Sequence, residues 1–376
     1  MKLSTVGFLA GLASLSLARH CQNLTVPVTI SSQNNVYNLK APKTNIDVTN
    51  FILNLVQPGK NYGQSIQNGT KTVSGTYHIA ATLCSPDWGH SDTVQFLTHG
   101  IGFDRSYWDN SFNNHNYSYT QVANDKYGYS TFSWDRLGIG ASQHGEPVNE
   151  IQAMLEVEAI HALTVLLRQG KISGCEKAFK KVVHIGHSFG SVQSYALTVK
   201  YPTDSDGLGL TGFSQNATYI PYFGLGGNFV QANLNPALKG YVDGYLAAGD
   251  ASAVQTNFFA PDQFDPKFLA YATKTGQPVT IGELLTIGIV SQPINKFAGP
   301  VLIITGERDI PFCGGNCAIP VPPYPNVVAA AQKTLPNAKN FKAVLVPKAG
   351  HGLNYDYSHP YTYQSINGYF AKYVPA

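Results

Sequence analysis

The sequence predicts an α/β protein with a mostly parallel central sheet, helices on both faces of the sheet and an inserted helical cap. Three observations predict this class. Buried, β-branched segments alternate with segments of helical periodicity. Residues 181–200 are typical of a strand, a tight turn and a helix in direct succession. A looser stretch over 216–297, rich in aromatic residues, interrupts the alternation before the last strands.

The predicted strands are short and apolar, and turns or helices separate them. The strand segments are 23–39, 75–86, 93–98, 129–134, 182–185, 207–213, 300–305 and 343–347, and the helical segments are 151–167, 192–199, 327–335 and 361–373. The predicted organisation is a signal peptide over 1–18, an N-terminal extension with the first strands over 19–74, a core over 75–215 and 298–376, and a cap over 216–297.

Composition and charge restrict the function classes. The 376 residues and the hydrophobic fraction of 43% allow a large core, whereas the charged fraction is only 12%. The net charge of +3 is spread along the chain without a basic block. This pattern argues against a nucleic-acid partner.

The first 18 residues have the pattern of a secretory signal. Lys2 supplies the positive end, 6–17 the apolar run, and Ser16-Leu17-Ala18 a cleavage site of small residues. The alternative is a short membrane anchor, but the run is too short to span a bilayer comfortably. We expect a secreted, extracellular glycoprotein without a stable membrane anchor. The expected glycosylation sites are Asn23, Asn68, Asn116 and Asn216.

The cysteine count fits an oxidising compartment. Five cysteines allow two disulfides and leave one thiol over. Cys313 and Cys317 are close enough in sequence to pair, and Cys21 with Cys84 is the second expected pair, which leaves Cys175 free. The sequence predicts no metal site, because no second cysteine or histidine pair has ligand spacing.

The turn between the strand at 182–185 and its helix contains a G-x-S-x-G motif, Gly186 to Gly190, with Ser188 at its centre. A serine in this context is a candidate nucleophile, held in a strained turn at the top of the sheet. The flanking glycines are expected because a Cβ at either place would collide with a neighbouring element. A serine nucleophile needs a base, an acid that orients the base, and an oxyanion hole.

The strand at 93–98 runs into His99-Gly100-Ile101-Gly102, where an oxyanion hole is expected. The Ile101 N–H is the predicted donor, with Gly102 as the second choice, and the Phe189 N–H is the predicted partner. His99 resembles a catalytic base, but we expect its side chain to fix this loop by hydrogen bonds. The later loop that begins at Asp135-Arg136 lacks a phosphate-binding fingerprint, so we expect these two residues to fix the loop instead.

The acid and the base follow the last two strands. Asp309 comes after the strand at 300–305, and His351 comes after the strand at 343–347. The carboxyl ends of parallel strands meet at one edge of a sheet, so Ser188, Asp309 and His351 are predicted to converge. Glu307 is a rival acid, and two further rivals for the last site are Asp356 and His359.

The aromatic residues of the cap are expected to form its own core, with a minority facing the serine. The sequence does not fix which of them contact a substrate; the candidates are Tyr222, Phe223, Phe258 and Phe259. Such side chains favour an apolar or aromatic substrate.

These motifs together resemble the α/β-hydrolase fold superfamily, and in particular the secreted fungal serine hydrolases of the esterase- and lipase-like AB hydrolase-1 type. The residues that carry the resemblance are HGIGFDRSYWD, WDRLGIGAS, GHSFGS, GERD and AGHGLN, and they cover most of 75–376. The order of nucleophile, acid and base is that of the family. The resemblance implies acyl hydrolysis without a cofactor, and it implies no particular substrate.

The leading hypothesis from the sequence is hydrolysis of a small hydrophobic carboxylic ester or lactone by a Ser-His-Asp triad. A second hypothesis keeps the triad but uses it for macrolactone formation, amide cleavage or carbon–carbon cleavage in secondary metabolism. A third is a non-catalytic binding protein on the same fold. The sequence leaves the acyl and alcohol parts of the substrate, interfacial activation and the oligomeric state open.

Overall fold

The computed structural model describes residues 19–87, 89, 91–175, 177–288 and 294–376. The predicted signal peptide at 1–18 lies outside these residues. Within the described part of the chain, no helix has both the length and the apolar character needed to cross a membrane.

An eight-stranded sheet forms the centre of the molecule, and its strands are in the order β1-β2-β4-β3-β5-β6-β10-β11. In this order the strands from β4 to β11 are parallel to their neighbours, whereas the pairs β1–β2 and β2–β4 are antiparallel. The eight strands are β1 His20–Tyr37, β2 Gln67–Ser85, β3 Thr93–Thr98, β4 Ser130–Trp134, β5 Lys181–His187, β6 Gly207–Thr211, β10 Pro300–Gly306 and β11 Lys339–Val346; the cap contributes β7 Val230–Gln231, β8 Tyr245–Ala247 and β9 Val279–Thr280. The predicted mostly parallel sheet is confirmed.

Helices connect the strands and cover the sheet. Their bounds are α1 Asn45–Leu55, α2 Tyr62–Ile66, α3 Phe112–His115, α4 Tyr119–Gln121, α5 Ala153–Gln169, α6 Phe189–Lys200, α7 Ile220–Gly226, α8 Ala251–Phe258, α9 Pro266–Thr275, α10 Ile281–Thr286, α11 Ile310–Cys313 and α12 His359–Tyr373. The longest, α5, is amphipathic: Leu155, Ile160 and Leu163 are buried, and Gly170 ends it in a left-handed conformation.

Residues 19–74 build the edge of the sheet. β1 pairs with β2 from His20 opposite Ser85 to Tyr37 opposite Gln67. The alternating burial of β1 shows one face on the core and one face toward solvent. The register places Cys21 directly opposite Cys84, and the two form a disulfide.

The cap contains short strands beside the expected helices. Besides α7, α8, α9 and α10 it contains a small antiparallel sheet of β7, β8 and β9. These strands are only two or three residues long, too short for a periodicity signal in the sequence. The predicted helix at 327–335 is a 3₁₀ helix, Ala329–Thr334.

Candidate active site

The turn after β5 holds Ser188 in a backbone conformation that is rare for a residue with a side chain, with φ of 55° and ψ of −119°. The turn is tight on both sides. A Cβ on Gly186 would lie 2.2 Å from the Gly190 carbonyl oxygen, and one on Gly190 would lie 2.3 Å from the Thr98 carbonyl oxygen. Only glycine fits at these two positions, and the strained turn presents the Ser188 hydroxyl beyond the strand end.

Three side chains from distant parts of the chain meet at this turn. His351 Nε2 lies 2.8 Å from Ser188 Oγ, and His351 Nδ1 lies 2.6 Å from Asp309 Oδ2. Asp309 and His351 are buried, and Ser188 is 7% exposed. Because β5, β10 and β11 are parallel, their carboxyl ends bring the turns that carry these residues to the same edge of the sheet.

The hydrogen bonds determine which imidazole nitrogen carries the proton. An ionised carboxylate accepts but does not donate, so Nδ1–H of His351 donates to Asp309. The Nε2 lone pair then faces the Ser188 hydroxyl. Asp309 is itself held by the Phe312 N–H, which donates to Oδ1 at 2.8 Å. The arrangement therefore allows the imidazole to accept the serine proton.

The rival residues lie elsewhere. The Glu307 carboxylate accepts the Lys348 N–H, and the Asp356 carboxylate accepts the Gly350 N–H. His359 contacts two backbone carbonyl oxygens, those of Asp356 and Asn116. None of these contacts involves the Ser188 hydroxyl.

The loop after β3 lies against Ser188. A Cβ on Gly100 would lie 2.8 Å from the Ser188 Cβ, so the backbone of this loop reaches the serine. Within the described part of the chain, the N–H groups of Ile101, Gly102 and Phe189 have no hydrogen-bond partner. They are therefore free to donate to a bound oxygen.

His99 fixes the orientation of the peptide between Gly100 and Ile101. Its Nε2 accepts the Arg136 N–H at 3.0 Å, so Nδ1 carries the proton and donates to the Gly100 carbonyl oxygen at 2.8 Å. In a trans peptide the C=O and the following N–H point in opposite directions. The Ile101 N–H therefore points away from His99. Burial and the Arg136 charge keep the pKa of His99 well below its usual value, so the imidazole stays neutral.

The sequence analysis missed a buried group of charges next to Phe189, the residue that follows Ser188. The Arg136 guanidinium contacts the carboxylates of Glu156 on α5 and Glu283 on α10, and all three side chains are fully buried. The guanidinium also lies 4.8 Å from the centre of the Phe189 ring. Burial is the main cause that raises the pKa of Glu156 well above its usual value. No sequence spacing links these residues, since they lie on three separate elements.

Asp135 fixes the loop through backbone hydrogen bonds and an ion pair. Its carboxylate accepts the Arg105 N–H and the Ala141 N–H, and it pairs with the Arg105 guanidinium. Burial, together with the nearby Asp104, raises the pKa of Asp135 to about 6. Asp135 thus stabilises this region through an ion pair with Arg105, and Arg136 through ion pairs with Glu156 and Glu283.

Of the four candidate aromatic residues of the cap, Phe258 lies next to His351. The Phe258 ring lies 6.0 Å from the His351 ring, nearly parallel to it, and Phe223 contacts Phe258. Phe259 packs against Phe264 and Phe268 of the cap and against Tyr355 in the loop after His351. Tyr222 is 52% exposed.

Both expected disulfides are present, Cys21–Cys84 and Cys313–Cys317, and Cys175 is free. Among the four candidate glycosylation sites, Asn23, Asn68 and Asn116 are exposed, whereas Asn216 is half-buried. A group of cysteine and aspartate atoms formed by Cys21, Cys84 and Asp109 is close enough to bind a metal ion, but both sulfurs are in the disulfide.

A mostly parallel sheet with a serine at a strand–helix turn, an acid and a base at later strand ends, and a cap between them defines an α/β-hydrolase fold. Residues 96–362 match the model of the Alpha/beta hydrolase family. The chain belongs to this family. A comparison with curated proteins finds no match.

Solved structures with the same fold include a thermophilic esterase from Thermogutta terrifontis, 15% identical, with a TM-score of 0.51 over 78% of this chain and 94% of that one. A putative non-heme bromoperoxidase, BpoC, from Mycobacterium tuberculosis is 16% identical, with a TM-score of 0.53 over 78% and 96%. An enol-lactonase from Burkholderia xenovorans is 13% identical, with a TM-score of 0.50 over 78% and 97%. At these identities the likeness shows the fold alone.

Proposed function

We propose that the protein is a serine hydrolase that cleaves a small hydrophobic carboxylic ester or lactone through an acyl-enzyme. Ser188 is the nucleophile, His351 the general base and acid, and Asp309 the residue that orients the imidazole. The observation that carries the proposal is the pair of contacts from His351, 2.8 Å to Ser188 Oγ and 2.6 Å to Asp309 Oδ2. This geometry matches the requirements of an activated nucleophile.

In the first half of the reaction, Ser188 Oγ attacks the substrate carbonyl carbon while His351 Nε2 takes the hydroxyl proton. The carbonyl oxygen becomes an oxyanion, and the N–H groups of Ile101 and Phe189 donate to it. Gly102 is the alternative donor in the same loop. Collapse of the tetrahedral intermediate breaks the bond to the alcohol, which leaves with the proton from Nε2. The acyl group remains on Ser188.

In the second half a water molecule attacks the acyl carbon, and His351 takes a proton from it. As the second tetrahedral intermediate collapses and releases the carboxylic acid, His351 Nε2 returns the proton to Ser188 Oγ. Asp309 stabilises the imidazolium in both halves, because its buried carboxylate accepts a hydrogen bond from the Nδ1–H of His351. Two oxyanion donors support the chemistry, since loss of one such donor typically costs about 10²–10³ in turnover.

The surroundings of the site support an apolar substrate. Phe103, Phe258 and Phe312 lie around His351 or the turn that carries Ser188, and all three are buried. Such a lining offers little to a charged substrate.

Activity-based labelling tests the proposal. A fluorophosphonate probe should react with the wild-type protein at one residue, and Ser188→Ala should abolish the reaction. Ser194→Ala is the matched control, because that hydroxyl donates within α6 to the Gly190 carbonyl oxygen and does not contact His351. Full labelling of Ser188→Ala, or no labelling of the wild type, would reject the assignment.

We further propose that the protein is exported and glycosylated, like the secreted fungal enzymes whose motifs it resembles. The two disulfides support export, since such bonds persist in oxidising compartments. Expression in a secreting host should place the protein in the medium with its N-terminus near residue 19. Treatment with peptide N-glycosidase should increase its gel mobility, and an unchanged mobility would contradict the glycosylation.

A further inference from the structure

The cap and the loop that carries His351 are joined along their backbones. The Gly352 N–H donates to the Phe258 carbonyl oxygen at 2.7 Å, and the Tyr357 N–H donates to the Gln263 carbonyl oxygen at 2.8 Å. Next to the second of these bonds, Phe264 and Asp356 form an antiparallel bridge. We call residues 258–264 and 350–357 together the cap–histidine seam.

One buried carboxylate strengthens the seam. Asp356 Oδ2 accepts the Gly350 N–H at 2.6 Å, and the Ala260 N–H also donates to this carboxylate. The two backbones approach so closely that a Cβ on Gly350 would lie 2.5 Å from the Ala260 nitrogen. This part of the cap therefore cannot lift from the site without breaking the bonds that hold the loop of His351.

Phe258 carries its ring from the fixed seam into the site. The ring centre lies 6.0 Å from that of His351 and 4.7 Å from that of Phe103. The ring also approaches the loop after β3, since its Cζ lies 3.1 Å from the position a Cβ would take on Gly102. Phe258 is 4% exposed. The ring thus lies between the base and the predicted oxyanion donors.

We propose that Phe258 is the specificity-determining residue of the site and restricts it to substrates with a slim, unbranched group beside the scissile carbonyl. The inference rests on the proposed function, since it concerns the same serine. Because the backbone of residue 258 is bonded to the loop of His351, the ring adapts only by rotating about its own side-chain bonds. A group branched next to the carbonyl needs the volume that the ring fills.

The geometry also predicts the direction in which substitutions at residue 258 change the preference for branched substrates. Truncation at residue 258 removes the ring and leaves the Phe258 carbonyl oxygen bonded to Gly352, so the site becomes larger while the loop of His351 stays in place. A larger ring at this position reduces the space further. An apolar pocket discriminates substrates that differ by a single methylene by about 10- to 200-fold.

The test compares kcat/KM for p-nitrophenyl acetate and p-nitrophenyl pivalate, whose acyl groups differ in branching beside the carbonyl. We expect Phe258→Ala to raise the pivalate-to-acetate ratio by about 10- to 100-fold and Phe258→Trp to lower it. Phe229→Ala is the matched control, because this buried cap phenylalanine contacts Phe223 at 5.7 Å and should leave the ratio unchanged.

An unchanged ratio in Phe258→Ala, or an equal rise in Phe229→Ala, would overturn the inference. If Phe258→Ala does not fold, Phe258→Leu keeps most of the apolar volume and should give a smaller rise of the same sign; no rise would count against Phe258. The inactivation rates with diethyl and diisopropyl fluorophosphate should shift in the same direction. Failure of the inference differs from failure of the proposed function, in which wild-type Ser188 would not react with either fluorophosphate.

Discussion

Asp356→Asn is the substitution whose effect the structure specifies most fully. The side chain is completely buried in the cap–histidine seam, and its Oδ1 has no hydrogen-bond partner within the described part of the chain. An asparagine keeps one oxygen to accept the Gly350 and Ala260 N–H groups. Its NH₂ group takes the place of the unpartnered oxygen. The substitution therefore removes the titration while keeping the bonds of the seam.

The expected change in the free energy of unfolding with pH follows from the protonation of the Asp356 carboxyl. Burial raises the pKa of Asp356 to about 8, well above its value of about 4 in an unfolded chain. Between these two values the folded protein holds a proton that the unfolded chain releases. Stability contributed by this group is therefore complete below about pH 4 and is lost as the pH rises to about 8. At about 1.4 kcal/mol for each pH unit, the loss is on the order of 5 kcal/mol.

Urea unfolding of the wild type and Asp356→Asn from pH 4.5 to pH 9 measures this difference. The two proteins should have similar free energies of unfolding at the acidic end, and the variant should become steadily more stable relative to the wild type as the pH rises. Asp262→Asn is the control, because Asp262 belongs to the same cap segment but is exposed. A difference between wild type and Asp356→Asn that does not change with pH would refute the reasoning.

Two further predictions concern the site itself. Asp309→Asn should lower kcat by about 10³–10⁴, because the imidazole of His351 would lose the anion that selects its tautomer and stabilises its charge; kinetics with p-nitrophenyl acetate check this, and a loss under tenfold would contradict it. His99→Ala should lower kcat by about 10- to 100-fold with little change in KM, because the bond that orients the Ile101 peptide is lost; an effect confined to KM would assign His99 another role.

The sequence was sufficient for the features that depend on strand ends. Ser188 can be identified as a candidate nucleophile because a buried strand, two glycines and a helix surround it, and each of these features is local in the chain. Asp309 and His351 can be identified as the candidate acid and base once the sheet is predicted to be parallel, because the carboxyl ends of parallel strands lie at one edge of the sheet. The α/β-hydrolase family predicted from these motifs is confirmed.

The features that depend on contacts between elements could not be predicted. Asp356 was weighed only as a rival for the catalytic site, because nothing in the sequence indicates that its carboxylate meets the Ala260 N–H of the cap. Arg136 was expected to fix its loop, but the sequence did not indicate its partners, Glu156 and Glu283, which lie 20 and 147 residues away. Such contacts have no periodicity and no spacing, so a single sequence does not contain a signal for them.

The cap is hydrogen-bonded to the core at 258–264, where the Phe258 and Gln263 carbonyl oxygens accept N–H groups of the loop that carries His351. This end of the cap therefore forms a fixed wall of the site. At α7, which also belongs to the cap, the Phe223 ring contacts the Phe258 ring at 6.2 Å, and the Phe223 carbonyl oxygen accepts the Asn257 side-chain NH₂ at 3.2 Å. A movement of α7 away from Phe258 would thus break a buried hydrogen bond as well as a ring contact.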